Sequence, residues 1–203
     1  MLSQRPHPGK TPKRRQRRLL ATVSAIGYAG ATPVLIDVEA DTYCLDPSRL
    51  RKTITEKTRA IIPVHLYGQP ADMPAILTIA RERNISVIED AAQAHGATLA
   101  GRPCGSMGDF AAFSFYPGKN LGACGEAGAV TTDDPDKAQL IRSMRDWGQE
   151  GKGNHANPGF NYRMDGLQGA FLSIKLGRLR EWTDARNRVA DRRGARFPSG
   201  ARR

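Results

Sequence analysis

Two side chains in this sequence stand where chemistry could be done. Asp90 closes the apolar run Ile85-Ser86-Val87-Ile88-Glu89 and opens Asp90-Ala91-Ala92-Gln93-Ala94-His95-Gly96. Lys119 sits in Phe113-Ser114-Phe115-Tyr116-Pro117-Gly118-Lys119-Asn120-Leu121-Gly122, a Gly/Pro turn after a second apolar run. A carboxylate at a strand end most often caps the next helix or shapes a turn. Metal ligation needs partners at ligand spacing, and His95 alone does not supply them. The lysine is either a solvated turn residue or an amine nucleophile. In the second case it must be held out of free water, because desolvation disfavours its charged form. A phosphate-binding P-loop does not fit: Phe113 stands where the first Gly is required, and Asn120 where Ser or Thr must follow the lysine.

The flanking sequence reads as alternating strands and helices that would carry these residues. Residues 33–38 and 60–64 are apolar runs of the kind buried on both faces of a sheet, although Pro63 removes a ladder donor from the second. With the run ending at Glu89-Asp90 they make a βαβαβ series, hence a parallel sheet with right-handed crossovers. Asp46 before Pro47 starts one intervening helix, and Asp72 caps another whose Met73, Ile76, Leu77 and Ala80 share a face. Strands are expected at 110–115 and 127–132. A helix over 136–147 aligns Lys137, Leu140, Ile141 and Met144, and a long helix from about Asp165 turns Leu167, Phe171 and Ile174 inward. In open α/β sheets ligands bind beyond the carboxyl ends of the strands, and Asp37, His65 and Asp90 all fall there. His65 reads as a structural or pocket-wall residue, Tyr116 as pocket lining or packing, and Cys124 as a small core thiol.

Three segments in order, DAAQAHGA, FSFYPGKNLGA and GFNYRMD, with VHLYGQPADM upstream, resemble the DegT/DnrJ/EryC1/StrS sugar aminotransferases over about residues 21–191. The resemblance implies an α/β fold with the three-layer, mostly parallel sheet of the fold-type-I pyridoxal-phosphate-dependent transferase large domain, here incomplete. It implies pyridoxal 5'-phosphate as cofactor. Lys119 would bond its aldehyde, Asp90 would pair with the pyridine nitrogen, Gln93 would contact the ring hydroxyl and Ser114 the phosphate. Asn161 would reach the phosphate of a neighbouring subunit's cofactor, which implies a homodimer. The implied reaction moves an amino group from an amino-acid donor to a keto sugar nucleotide. Lysine at position 119 favours transamination, because dehydratase relatives carry another residue there. Glu126-Ala127-Gly128 departs from the Asp-Gly-Gly of many relatives.

The family resemblance also sets expectations about the ends. Relatives run to about twice this length, with a Gly-Thr turn, an aromatic that stacks on the ring and a small substrate-closing domain that are not found here. The expected organisation is a basic disordered arm over 1–20, a truncated cofactor-binding large domain over 21–190, and a basic disordered tail over 191–203. Two functions follow: an active aminotransferase, or a non-catalytic remnant that serves as a weak cofactor-binding or subunit-interaction module.

Charge bears on partners. The chain has 203 residues and a net charge of +11, from 31 Lys/Arg against 20 Asp/Glu. Residues 1–20 hold seven of the basic residues with no acid, and residues 178–203 hold nine against three acids, which leaves 15 basic and 17 acidic residues between them. Basicity confined to the two ends is not a nucleic-acid patch built on a folded surface, so no nucleic-acid partner is expected. No apolar run approaches the ~18 residues of a membrane span, so no membrane partner is expected either. Three scattered cysteines fit neither a disulfide framework nor a zinc site, and a cytoplasmic location is expected.

Overall fold

The computed structural model describes residues 20–196. The expectations placed on 1–19 and 197–203 lie outside the described residues. The chain divides into two units, one within Met1–Ala112 and Val130–Pro135, the other within Phe113–Ala129 and Asp136–Arg203.

In the first unit, α1 (Leu20–Tyr28) precedes an extended segment, then α2 (Pro47–Thr53), β1 (Ala60–Ile61), α3 (Met73–Glu82) and β2 (Ser86–Asp90) follow. A small antiparallel hairpin of β3 (Thr98–Leu99) and β4 (Arg102–Pro103) leads to β5 (Phe110–Ser114), and β6 (Gly128–Thr131) comes later, the residues of these last two strands being divided between the units. The sheet order is β1-β2-β5-β6. Both registered pairs of that sheet, β1–β2 and β2–β5, are parallel, with Asp90 opposite Ala112. The α/β fold and parallel sheet expected from the sequence are therefore present.

Local chemistry explains these elements. Asp46 accepts from the amides of Ser48 and Arg49 with Pro47 in the first helical turn, and Asp72 accepts from Ala75 N. Each cap satisfies amides that have no partner inside the helix. Met73, Ile76, Ile79 and Ala80 of α3 are buried against Leu50, Ile61 and Val87, which forms the core of this unit. Pro63 does interrupt its strand: β1 stops at Ile61, and pairing resumes as a single bridge of Val64 to Asp90.

The apolar run at 33–38 does not form a sheet strand. Only Val38 bridges, antiparallel to Leu45, and Leu35 is exposed. Apolarity gives a strand only where a neighbouring backbone offers its donors and acceptors, and none of the described strands pairs with 33–37.

The second unit holds α4 (Pro135–Met144), α5 (Gly166–Leu176) and α6 (Leu179–Arg196). Its core is Leu121, Ala123 and Leu172, with Phe115, Ala127 and Leu179 against it. The period predicted for α5 is right and its phase is wrong by one residue. Leu167 is 85% and Ile174 77% exposed, and Phe171 is exposed as well. The inward face is instead Gln168, Leu172 and Lys175. In α4, Leu140 is likewise exposed while Ser143 is buried. Helix α6 continues to Arg196. Its Ala- and Arg-rich sequence has high helix propensity without needing an apolar stripe.

Candidate functional site

Asp90 is the last residue of β2, held by parallel pairing with residues 63–65: its N–H donates to Pro63 O at 2.9 Å, and its carbonyl accepts from His65 N at 3.0 Å. Its half-buried carboxylate has a donor on each oxygen. The Thr22 hydroxyl donates to Oδ2 at 2.6 Å, and Ala92 N–H donates to Oδ1 at 3.2 Å. Gln93 lies on the same strand-end turn. Its Oε1 accepts from Tyr67 N–H at 2.9 Å. That bond fixes the sense of the amide, so Nε2 is the side that can donate to a ligand. Tyr67 itself holds a left-handed backbone conformation, φ 56°.

Behind Asp90 lies a feature that sequence reasoning missed. Glu89 and His65 are both 0% exposed, and His65 Nε2 lies 2.8 Å from Glu89 Oε2. His65 Nδ1 accepts from Ala71 N–H at 3.1 Å, so Nε2 carries the proton and donates it to the carboxylate. Three backbone amides complete the cage: Gly105 on Oε2 at 2.8 Å, Met107 and Gly108 on Oε1 at 2.7 Å each. Burial by itself pushes the Glu89 carboxyl up. The donors, His65 first and then the three amides, outweigh it and hold the group at about 2. The amides converge because Gly105 adopts φ 90° and Gly108 lies so close to β2 that a Cβ there would meet Val87 O at 2.8 Å. The sequence signal was present: an acid in the middle of an apolar strand, followed by a glycine-rich loop. The same charge, after burial itself, pushes the neighbouring Cys104 thiol up to about 11.

In the second unit, Ser114 ends β5, and its Oγ accepts from Tyr116 N–H at 3.3 Å, which leaves its O–H to donate. Lys119 follows in a tight turn, half-buried, with its N–H on Tyr116 O at 2.8 Å. Gly122 is obligatory for this turn, because a Cβ would run into the Pro117 carbonyl. Helix α5 clamps the loop from its inward face. Lys175 Nζ donates to Gly122 O, Gln168 Oε1 accepts from Cys124 N–H at 2.8 Å, and Leu172 packs under Leu121 and Ala123. These polar anchors explain the phase of α5: loop amides and carbonyls need partners that apolar side chains cannot supply. Cys124 is exposed rather than the core thiol expected, since its backbone is the part that is held.

Asn161 is placed separately, on an exposed antiparallel bridge to Asp146, between stacked Phe160 and Tyr162 whose ring centroids are 4.9 Å apart. Thus Asp90 and Gln93 belong to the first unit, and Ser114, Lys119 and Asn161 to the second.

Residues 18–197 match the DegT/DnrJ/EryC1/StrS aminotransferase family. The chain belongs to that family. It is 46% identical over 171 residues to the dTDP-3-amino-3,4,6-trideoxy-alpha-D-glucose transaminase of Streptomyces venezuelae, covering 84% of this chain and 45% of that protein. It is 48% identical over 171 residues to the dTDP-3-amino-3,6-dideoxy-alpha-D-galactopyranose transaminase of Aneurinibacillus thermoaerophilus, covering 84% of this chain and 47% of that one. Among solved structures, S. venezuelae DesV in complex with a ketimine intermediate superposes with a TM-score of 0.86 at 44% identity, over 89% of this chain and 48% of DesV. A DegT DnrJ EryC1 StrS aminotransferase from Brucella abortus gives 0.83 at 37% identity, over 87% and 49%. The fold is that of these aminotransferases, and the chain spans about half the length of the relatives it matches.

Proposed function

We propose that this chain forms the pyridoxal 5'-phosphate site of an aminotransferase that moves an amino group from an amino acid to a keto sugar nucleotide, with residues 21–190 as cofactor-binding large domain. The observation that carries the reading is the Asp90 carboxylate, set at a strand end with each oxygen held by a neutral donor. The side chains present fit the cofactor group by group: a carboxylate for a ring N–H, a Gln93 amide with its donor side available, a Ser114 hydroxyl able to donate to a phosphate oxygen, and an amine at Lys119. When bound, the cofactor supplies a reactive aldehyde and an electron-accepting ring.

Each residue then has a distinct task. Asp90 keeps the ring nitrogen protonated, since a carboxylate beside it favours the charged form. Gln93 and Ser114 orient the ring and anchor the phosphate. Lys119 would hold the cofactor through its amine, and as a free amine it would be the group able to carry a proton at the reacting carbon. The Gly122 turn and the Lys175 and Gln168 clamps hold the backbone of the loop that carries Lys119. The sugar-nucleotide substrate is supported by the substrates in the names of the two transaminases above. A homodimer is supported by the exposed apolar face of α5, Leu167, Phe171 and Ile174, with Asn161 then serving the partner's cofactor.

Incubation with pyridoxal phosphate, borohydride reduction and peptide mapping tests the assignment. The label is expected on Lys119. Label spread over Lys52 and Lys137 with none on Lys119 would refute it.

A further inference from the structure

We infer that Thr22 is a positioning residue for Asp90: its hydroxyl, donated across the unit from α1, fixes the bearing of the carboxylate toward a ring N–H. The inference rests on the cofactor reading above. Thr22 and Asp90 are 68 residues apart in sequence, and the Oγ1–Oδ2 distance of 2.6 Å lies in the range of a hydroxyl bonded to an ionised carboxylate. An ionised carboxylate only accepts, so the hydroxyl is the donor.

Three further observations make this a device rather than a chance contact. Thr22 sits in the first turn of α1, where a threonine hydroxyl ordinarily turns to solvent or to its own helix, yet here it reaches β2. Its β-branch restricts χ1, so few orientations are open to the donor. Ala92 N–H grips the other oxygen at 3.2 Å, so the carboxylate plane is fixed at two points. A carboxylate offers about four lone-pair positions, and these two donors leave the remainder for a third. Pinned in this way, the group presents a lone pair at a constant bearing; released at Oδ2, it can rotate about χ2, and the ring N–H loses a pre-organised acceptor.

The experiment compares two ligands: pyridoxal phosphate, and its carbocyclic analogue in which C–H replaces the ring nitrogen. Only the first can donate to Asp90. Dissociation constants for both are measured by fluorescence quenching on the wild-type protein, Thr22→Val, Thr22→Ser, Asp90→Asn and the Thr22→Val/Asp90→Asn double variant. The wild type prefers the pyridine ring. Thr22→Val keeps size but removes the donor, and its preference falls about tenfold, the scale of one charge-assisted hydrogen bond. Thr22→Ser restores most of it, and Thr22→Val has no further effect once Asp90 is Asn.

A Thr22→Val variant that keeps the full preference overturns the inference. So does one that weakens both ligands equally, which marks a merely structural role, or one that acts as strongly in the Asp90→Asn background. A wild type that binds the two ligands equally overturns the reading of Asp90 itself, and Thr22 with it, an outcome distinct from the others.

Discussion

Glu89→Gln keeps the size and shape of the side chain while converting one of its two acceptor oxygens into a donor. In the native cage, Oε2 faces His65 Nε2–H and Gly105 N–H, and Oε1 faces Met107 and Gly108 N–H. Whichever way the amide turns, two N–H groups meet an NH2 instead of an oxygen. His65 cannot rescue the arrangement by switching tautomer, because Nδ1 must remain an acceptor for Ala71 N–H. Hydrogen bonds to a charged group contribute ~1.5–3 kcal/mol each, so losing two costs ~3–6 kcal/mol, set against ~5–15 kcal/mol for a whole domain. Relief from burying a charge trims this toward the lower end.

Urea unfolding followed by circular dichroism measures the effect, and Glu89→Gln is expected to lower the unfolding free energy by about 3 kcal/mol or more at pH 7. The pH profile supplies a second arm. The folded Glu89 carboxyl, at about 2, lies below its ordinary 4.5. Its contribution is therefore fully present above pH 4.5 and is lost as pH falls toward 2, a change of about 3 kcal/mol in a side chain with no solvent exposure. The gap between wild type and variant should shrink over that window. A variant within ~0.5 kcal/mol of wild type at pH 7, or a gap that stays constant from pH 5 to pH 2, would refute the cage.

Gly122→Ala places a methyl against the Pro117 carbonyl; it should cost ~1–3 kcal/mol of stability and abolish borohydride-trapped label at Lys119. Leu172→Ala should destabilise by ~2–5 kcal/mol in the same urea assay, because Leu172 faces the loop core. Ile174→Ser, two residues on and exposed, should leave folding within ~0.5 kcal/mol but weaken self-association in sedimentation equilibrium if the α5 face meets a second copy. Equal destabilisation by the two changes would show that the phase of α5 is misread.

The legible parts of the fold were those governed by neighbours in sequence. The caps at Asp46 and Asp72, the interruption at Pro63 and the strand closed by Asp90 each follow from interactions spanning a few residues. What failed depended on distant partners. Residues 33–37 have the composition of a buried strand, but a ladder requires a second backbone. The phase expected for α5 follows the larger apolar residues, whereas the half-buried side chains beside Leu172 are Gln168 and Lys175. They bind Cys124 N–H and Gly122 O, more than forty residues away. Ser114 and Lys119 stand out through motif order, yet nothing local to them announces that α5 holds the loop that follows them. Thr22 was hidden for the same reason: a lone threonine in an apolar helix carries no mark of the carboxylate it meets.

Glu89 and Asp90 show why sequence spacing alone could not separate structure from function at this strand end. They are adjacent carboxylates, and alternation in a strand sends them to opposite faces. Glu89 points into the unit, where His65 and three amides surround it so completely that no acceptor position is left for a ligand. Asp90 points away with two donors, one on each oxygen, and keeps positions open. The first is closed to a ligand, and the second can take a further donor, as the role proposed for Asp90 requires. The two are coupled through the backbone: His65, whose ring holds Glu89, also uses its N–H to bind the Asp90 carbonyl at 3.0 Å. Fixing one carboxylate by burial thus fixes the base of the other, and Thr22 needs only to set the last torsion of Asp90 to complete its orientation.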